Sequence, residues 1–137
     1  MKTGFSVAIF LLASLSVWAA GPRKHHTAPV PPPDPDYVFA LAAANRFLHA
    51  WQNDDLEAGT VLLSDHVRRS QDPDKFEEFF AGSNDRAFEI SRGTGTRGRY
   101  QFAVVLVTVA ETRLRRRSSA IVVVNTGKND WVVDKLP

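Results

Sequence analysis

The chain contains no cysteine, no apolar run of membrane-spanning length and little net charge, and each shortage excludes a class of protein. Without cysteine the sequence supports no disulfide, thiolate metal site, thiol nucleophile or cysteine lipidation. No stretch reaches the ~20 consecutive apolar residues of a transmembrane helix. The formal net charge of +2 is too small to indicate nucleic-acid binding. A length of 137 residues fits one domain with short extensions.

The first 36 residues predict an export signal followed by a tether. Residues 1–19 have the layout of a secretory signal peptide, with the cationic Lys2, an apolar run and small residues up to Ala19. We therefore expect a secreted or periplasmic protein with no stable membrane anchor. Residues 20–36 are rich in proline, which favours the extended polyproline conformation of a semi-rigid spacer. The folded domain is predicted to span residues 37–137.

The first half of the domain predicts three helices. Apolar residues recur at helical spacing through residues 37–52. Asp54 followed by Glu57 forms a capping box for a second helix, and residues 72–73 are an aspartate cap and a first-turn proline for a third. Gly59 lies inside the second helix, where glycine costs about 1 kcal/mol relative to alanine. Its presence indicates close approach to a neighbouring element.

The second half predicts an antiparallel sheet of about four strands. Residues 86–91 alternate and form the first strand, and residues 93–98 match the letters of a dinucleotide-binding glycine motif. A strand follows this motif instead of the helix that phosphate binding needs, so we interpret it as a flexible hairpin loop. Residues 100–110 form a long strand that is apolar on both faces, so each face is expected to pack against another layer. The helices cover one face, and a homodimer through the outer sheet face is predicted to cover the other.

Arginines are concentrated where the chain is predicted to reverse after this strand. The turn comprises Arg113, Arg115, Arg116 and Arg117, and strands at 121–124 and 131–133 follow it. This basic hairpin end is suited to binding anions; alternatively, its like charges protect a strand end from pairing. Residues 37–85 carry four Lys/Arg and nine Asp/Glu, whereas residues 86–137 carry ten and four. The helical layer is therefore acidic and the sheet basic.

This order of elements is typical of an α+β fold, and three segments resemble the nuclear-transport-factor-2-like (NTF2-like, or cystatin-like) superfamily in its small exported bacterial branch. The matching segments are Phe47-Leu48-His49-Ala50-Trp51, residues 53–58 with Leu62-Leu63-Ser64, and the closing Gly127-Lys128-Asn129-Asp130-Trp131-Val132-Val133-Asp134-Lys135-Leu136. The resemblance implies helices packed on a curved antiparallel sheet, with a pocket between them. It also implies that the protein is either an enzyme or a binding module, since the superfamily contains isomerases, dehydratases and non-catalytic proteins.

No catalytic set of the superfamily maps onto this chain, so we predict a non-catalytic module that binds a small apolar ligand or an envelope protein. The resemblance would place four aromatic residues around the pocket: Trp51, Tyr100, Phe102 and Trp131. One alternative is a cofactor-free isomerase or lyase that uses His66 and Tyr100. Another is envelope adhesion through the four arginines. We predict no metal and no cofactor.

Overall fold

A computed structural model describes residues 34–82 and 85–137, and the predictions of a signal peptide at 1–19 and of nearly all of the tether lie outside these ranges. Four helices precede five strands, so the predicted α+β architecture is confirmed. The elements are α1 (Pro35–Gln52), α2 (Leu56–Val61), α3 (Asp65–Ser70), α4 (Pro73–Phe80), β1 (Arg86–Ile90), β2 (Thr94–Thr96), β3 (Arg99–Ala110), β4 (Arg113–Asn125) and β5 (Trp131–Lys135).

Helix α1 packs along the sheet and supplies most of the helical side of the core. It begins two residues before the predicted domain boundary, because Asp34 caps it by accepting a hydrogen bond from the Asp36 amide and Pro35 occupies the first turn. Its buried face includes Ala44, Phe47 and Trp51, as the periodicity predicts, together with Ala43 and Ala50. In residues 34–82 and 85–137, no helix has the length and apolar character needed to cross a membrane.

The predicted second helix is two short helices, and this corrects the sequence interpretation. Between α2 and α3, Leu63 pairs with Val133 as an isolated parallel bridge at the free edge of β5. The Ser64 amide donates to the Val133 carbonyl at 2.8 Å, and the Val133 amide donates to the Leu62 carbonyl at 2.7 Å. These hydrogen bonds pair main-chain groups at the otherwise open edge of β5. Main-chain pairing with a distant strand therefore interrupts a segment whose local pattern is helical.

The sheet is antiparallel with strand order β1-β3-β4-β5, and β2 pairs with β3. The loop predicted at residues 93–98 instead contains the short strand β2, which turns directly into β3. Along β3 the predicted alternation is observed: Tyr100, Phe102, Val104 and Leu106 are buried beneath the helices. Residues on the opposite face of β3 are exposed or half-buried. Leu114 on the same outer face is 62% exposed, and the homodimer through this face stays a prediction.

The turn between β3 and β4 is not where the arginines predicted it. Ala110 pairs with Arg113, so the chain reverses at Glu111 and Thr112, and residues 113–117 are part of β4. Glu111 adopts a positive φ of 59°, a conformation in which glycine, asparagine or aspartate is usual. The absence of such a residue explains why the sequence did not mark the turn. The prediction of a turn formed by the arginines is therefore wrong.

Candidate functional site

An open cleft of about 910 Å³ lies at the end of the sheet where β3 and β4 turn. Its floor is the helix-facing side of β3, with Leu106 and Thr108. One wall comes from α4, and the chain end at Leu136 and Pro137 contributes another side. The cleft lies at the C-terminal end of α1, where Gln52 Nε2 donates to the carbonyl of Arg86, the residue paired with Thr108 of the cleft floor.

The α4 wall of the cleft is aromatic and tightly held. The rings of Trp51 and Phe79 stack at 6.0 Å with an interplanar angle of 26°, and Phe79 stacks in turn on Phe47 at 6.4 Å. The Trp51 indole Nε1 donates to the Phe79 carbonyl at 3.0 Å. Because Phe79 is only half-buried, the ring presents a fixed apolar surface to the cleft.

Arg86 lies deepest among the cations of the cleft. Only 7% of this residue is exposed. Its Nη1 donates to the Trp51 carbonyl at 2.7 Å, and its Cζ lies 5.0 Å from the centroid of the Trp51 ring. In the part of the chain that the structure describes, no Asp or Glu forms an ion pair with Arg86. Its guanidinium is therefore buried without a carboxylate partner.

The arginines of β4 are divided between the two faces of the sheet. Arg115 and Arg117 pair with Thr108 and Leu106 of β3, so they lie on the cleft side. Arg117 places its Cζ 5.9 Å from the Phe79 ring centroid, and its Nη2 donates to the Pro137 main-chain oxygen at 3.1 Å. Arg116 lies on the outer face.

On that outer face Arg116 faces a carboxylate, with its Nη2 3.9 Å from a Glu89 Oε1. Arg113 pairs with Ala110 beside the turn and is outside the set that lines the cleft. Arg113, Arg115 and Arg117 are therefore on the cleft-side face of β4, and Arg116 is on the outer face. The division follows from strand alternation, because successive side chains point to opposite faces.

The cleft is positively charged on balance. Four cationic side chains line it against two carboxylates: Lys75, Arg86, Arg115 and Arg117 against Glu78 and Glu111. The carboxylates come from α4 and from the turn, whereas three of the cations come from the strands. A concave site lined by an excess of one sign attracts ligands of the other sign.

Of the four aromatic residues predicted to bind a ligand, only Trp51 lines this cleft. Tyr100, Phe102 and Trp131 are 5%, 0% and 3% exposed and lie in the core near the opposite end of β3. There Tyr37 packs against Tyr100 at 5.6 Å and against Phe102 at 5.7 Å, and Trp131 lies 5.9 Å from Tyr100. The sequence predicted correctly which side chains of β3 face the helices. It did not predict that Tyr37 would fill the space beside Tyr100 and Phe102.

The structure does not bring the two catalytic candidates together. The Tyr100 hydroxyl donates to Asp34 Oδ2 at 2.7 Å. This hydrogen bond, with a further contribution from burial, raises the pKa of Tyr100 to about 12. His66 is exposed on α3, and no contact joins it to Tyr100 in the described residues. A shared acid–base role would require the two side chains to converge on one site.

The residues that define the cleft were largely missed from the sequence. Arg86 shares the inward face of β1 with Phe88 and Ile90. A cation at an inward strand position was therefore the sequence signal for this site. Phe79 follows Phe76 at helical spacing on α4, which indicates an apolar helix face, although nothing in the sequence indicated that it would border open space. Residues 34–82 and 85–137 contain no cluster of three or more His, Asp or Glu side chains positioned to hold a metal ion.

Comparison with known proteins gives likenesses among solved structures. No protein-family model matches the chain, and no curated protein is significantly similar to it. Among solved structures, the chain is similar to a protein from Campylobacter jejuni that is named an NTF2-like transpeptidase, with 12% identity and a TM-score of 0.48. The match covers 70% of this chain and 97% of that chain. The fold family and the activity in its name are said of that protein alone.

Proposed function

We propose that the protein is a non-catalytic binding module whose cleft holds a small molecule with an apolar portion. The observation that carries this proposal is the aromatic wall of Trp51 and Phe79 beside an open cleft of about 910 Å³. Sites for small molecules typically have volumes of about 300–1,000 Å³, predominantly apolar linings and a few polar groups that fix orientation.

The lining of the cleft favours binding over catalysis. It contains no histidine, serine or tyrosine, and the catalytic candidates His66 and Tyr100 lie outside it. Glu78 and Glu111 line it, but no hydrogen bond within the described residues links either carboxylate to another titratable group. The charged and aromatic side chains are instead suited to holding a ligand. The signal-like pattern of residues 1–19 supports the further proposal that binding takes place outside the cytoplasm.

The alternative of adhesion through a basic hairpin receives less support. That hypothesis needs several arginines on one accessible surface. Arg113, Arg115 and Arg117 share the cleft-side face, and two of them line the cleft, whereas Arg116 lies on the outer face near Glu89. The same residues therefore favour a ligand that enters the cleft.

A substitution at the cleft floor tests the proposal, with a matched control on the other face of the same strand. We expect Thr108→Phe to fill the cleft and abolish the fluorescence gain of the neutral apolar probe N-phenyl-1-naphthylamine. Val107→Phe adds the same ring to the outer face and should leave probe binding unchanged. Circular dichroism shows whether both variants are folded. Unchanged probe binding by folded Thr108→Phe, or no binding by the unmodified protein, would contradict a cleft for apolar ligands.

A further inference from the structure

We infer that the ligand of this cleft is a single-chain amphipathic anion, with a carboxylate or phosphate head held by Arg86, Arg115 and Arg117. The inference rests on the proposed function and adds the chemical class of the ligand. The apolar chain would lie along Phe79, Leu106 and Leu136, which line the same cleft.

Arg86 is the most buried cation of the cleft, with 7% of the residue exposed and no carboxylate paired with it in the described residues. A charge removed from water is unfavourable unless hydrogen bonds and an opposite charge compensate it. The guanidinium has five N–H donors, and in the described residues its hydrogen-bond acceptor is the Trp51 carbonyl. None of its nitrogens is both buried and without a partner, so the remaining donors are accessible to an anion in the cleft.

The second argument is the convergence of cations from different strands. Arg86 pairs with Thr108, and Thr108 pairs with Arg115, so the three residues form one row across β1, β3 and β4 on the cleft face. Neighbouring strands lie about 4.8 Å apart, a spacing that long arginine side chains can bridge. Arg117 lies on the adjacent row opposite Leu106. One small anionic group between these side chains can accept hydrogen bonds from more than one guanidinium.

Two of these guanidiniums already have contacts that restrict them. Their Cζ atoms lie 5.0 Å from the Trp51 ring centroid for Arg86 and 5.9 Å from the Phe79 ring centroid for Arg117. Each also donates to a main-chain oxygen, that of Trp51 and that of Pro137 respectively. Less side-chain freedom is then lost when an anion binds.

The surroundings of the arginines favour an amphipathic anion over an inorganic one. Leu106 and Phe79 border the same space, and burial of an aliphatic chain against them adds binding free energy that a free phosphate cannot obtain. Glu78 and Glu111 on the cleft lining would repel a second anionic group. A single charged head at one end of an apolar chain fits both features.

Isothermal titration of the full chain with matched amphiphiles tests the inference. We expect decanoate and decyl phosphate to bind more tightly than 1-decanol, and inorganic phosphate to bind much more weakly than either. Arg115→Gln should weaken binding of both anions roughly tenfold, as for loss of one charged hydrogen bond, and leave 1-decanol unaffected. Arg116→Gln, one position away on the outer face, should change none of these affinities. Arg117→Gln provides a second cleft-side variant if Arg115→Gln does not fold.

Tighter binding of decanoate than of decyl phosphate by the unmodified protein, or the reverse, would identify the head group and agree with the inference. Equal affinity for decanoate and 1-decanol, with no effect of the cleft-side substitutions, would overturn it while leaving the apolar cleft intact. Inorganic phosphate bound as tightly as decanoate would also overturn it. If neither the amphiphiles nor the neutral naphthylamine probe bound the protein, the proposed function itself would be rejected.

Discussion

At the scale of single residues, the position of one turn decides what the arginines of β4 can do. When placed in a turn, residues 113–117 form one basic patch. When placed in a strand, they alternate, so Arg115 and Arg117 line the cleft and Arg116 lies opposite Glu89. The alternation could be predicted once the strand was known, since it follows from backbone geometry. The start of the strand could not, because Glu111 and Thr112 carry no turn signal.

Asp134 is a residue whose charge we expect to stabilise the fold. Burial pushes the pKa of Asp134 upward, but hydrogen bonds from Ser64 and Arg99, with the nearby charges of Arg99 and His66, outweigh burial and lower the pKa. The contacts are 2.8 Å to Ser64 Oγ and 3.0 Å to Arg99 Nη1. Since Ser64 also caps α3 by accepting from the Val67 amide, the carboxylate orients a helix cap.

We predict that Asp134→Asn lowers the free energy of unfolding at pH 7 by about 0.5–1 kcal/mol, because it loses a charged acceptor near the protein surface. A carboxyl whose folded pKa is lowered stabilises the fold above its unfolded pKa of about 3.9. That contribution disappears as the pH falls through the folded pKa. Urea unfolding at several pH values should therefore show the two proteins converging below about pH 4. A stability difference that stays constant down to pH 3 would contradict this role.

At the scale of elements, local sequence patterns predicted the type of each segment more accurately than the residue at which it ends. Helix α4 begins as expected after Asp72, which accepts a hydrogen bond from the Asp74 amide. The segment from residue 56 to 67 instead divides, since Leu63 pairs with Val133. Periodicity reports the face that a segment buries. It carries no information about a strand edge that lies 70 positions away in the chain.

Helix α2 packs against α4 through the predicted close approach at Gly59. A methyl group on Gly59 would overlap the ring tip of Phe80. Phe80 is 1% exposed and is held by Phe47, Phe76 and Phe79 in edge or tilted contacts. The ring therefore has little room to move.

We predict that Gly59→Ala destabilises the protein by about 1–2 kcal/mol, although alanine is the better helix former, because overpacking outweighs the propensity gain. Urea unfolding of the single variants and of Gly59→Ala/Phe80→Leu measures the coupling between the two positions. The smaller side chain should relieve the overlap, so the double variant should lose less stability than the sum of the two single changes. Simple additivity would show that the methyl group is accommodated elsewhere.

At the scale of the whole molecule, the sequence predicted the layers but not the opening between them. The acidic helical half and the basic sheet half were evident from composition, and the observed helices do cover one face of an antiparallel sheet. The cleft depends on where α1 ends relative to β3 and on contacts between residues far apart in the chain. Trp51 and Arg86, which contact each other at its wall, are an example.

A second cavity among the described residues differs from the cleft in chemistry. It measures about 320 Å³ and is lined by Leu56, Leu63, Pro73 and Phe76 together with polar residues that include Arg68. Arg68 lies 4.0 Å from Asp65 and donates to the Val61 carbonyl. Arg68 therefore has a nearby carboxylate, which Arg86 lacks in the described residues, and this cavity serves as an internal comparison for the cleft.

The most direct test of the account is a two-dimensional ¹H–¹⁵N correlation spectrum of the protein titrated with decanoate. The indole N–H of Trp51 and the amides of Arg86 and Thr108 line or border the cleft, so these signals should shift together and saturably. The indole of Trp131, 3% exposed in the core, should stay in place. Shifts confined to residues around Leu56 and Phe76, or no saturable shift at Trp51, would contradict binding in the arginine-lined cleft.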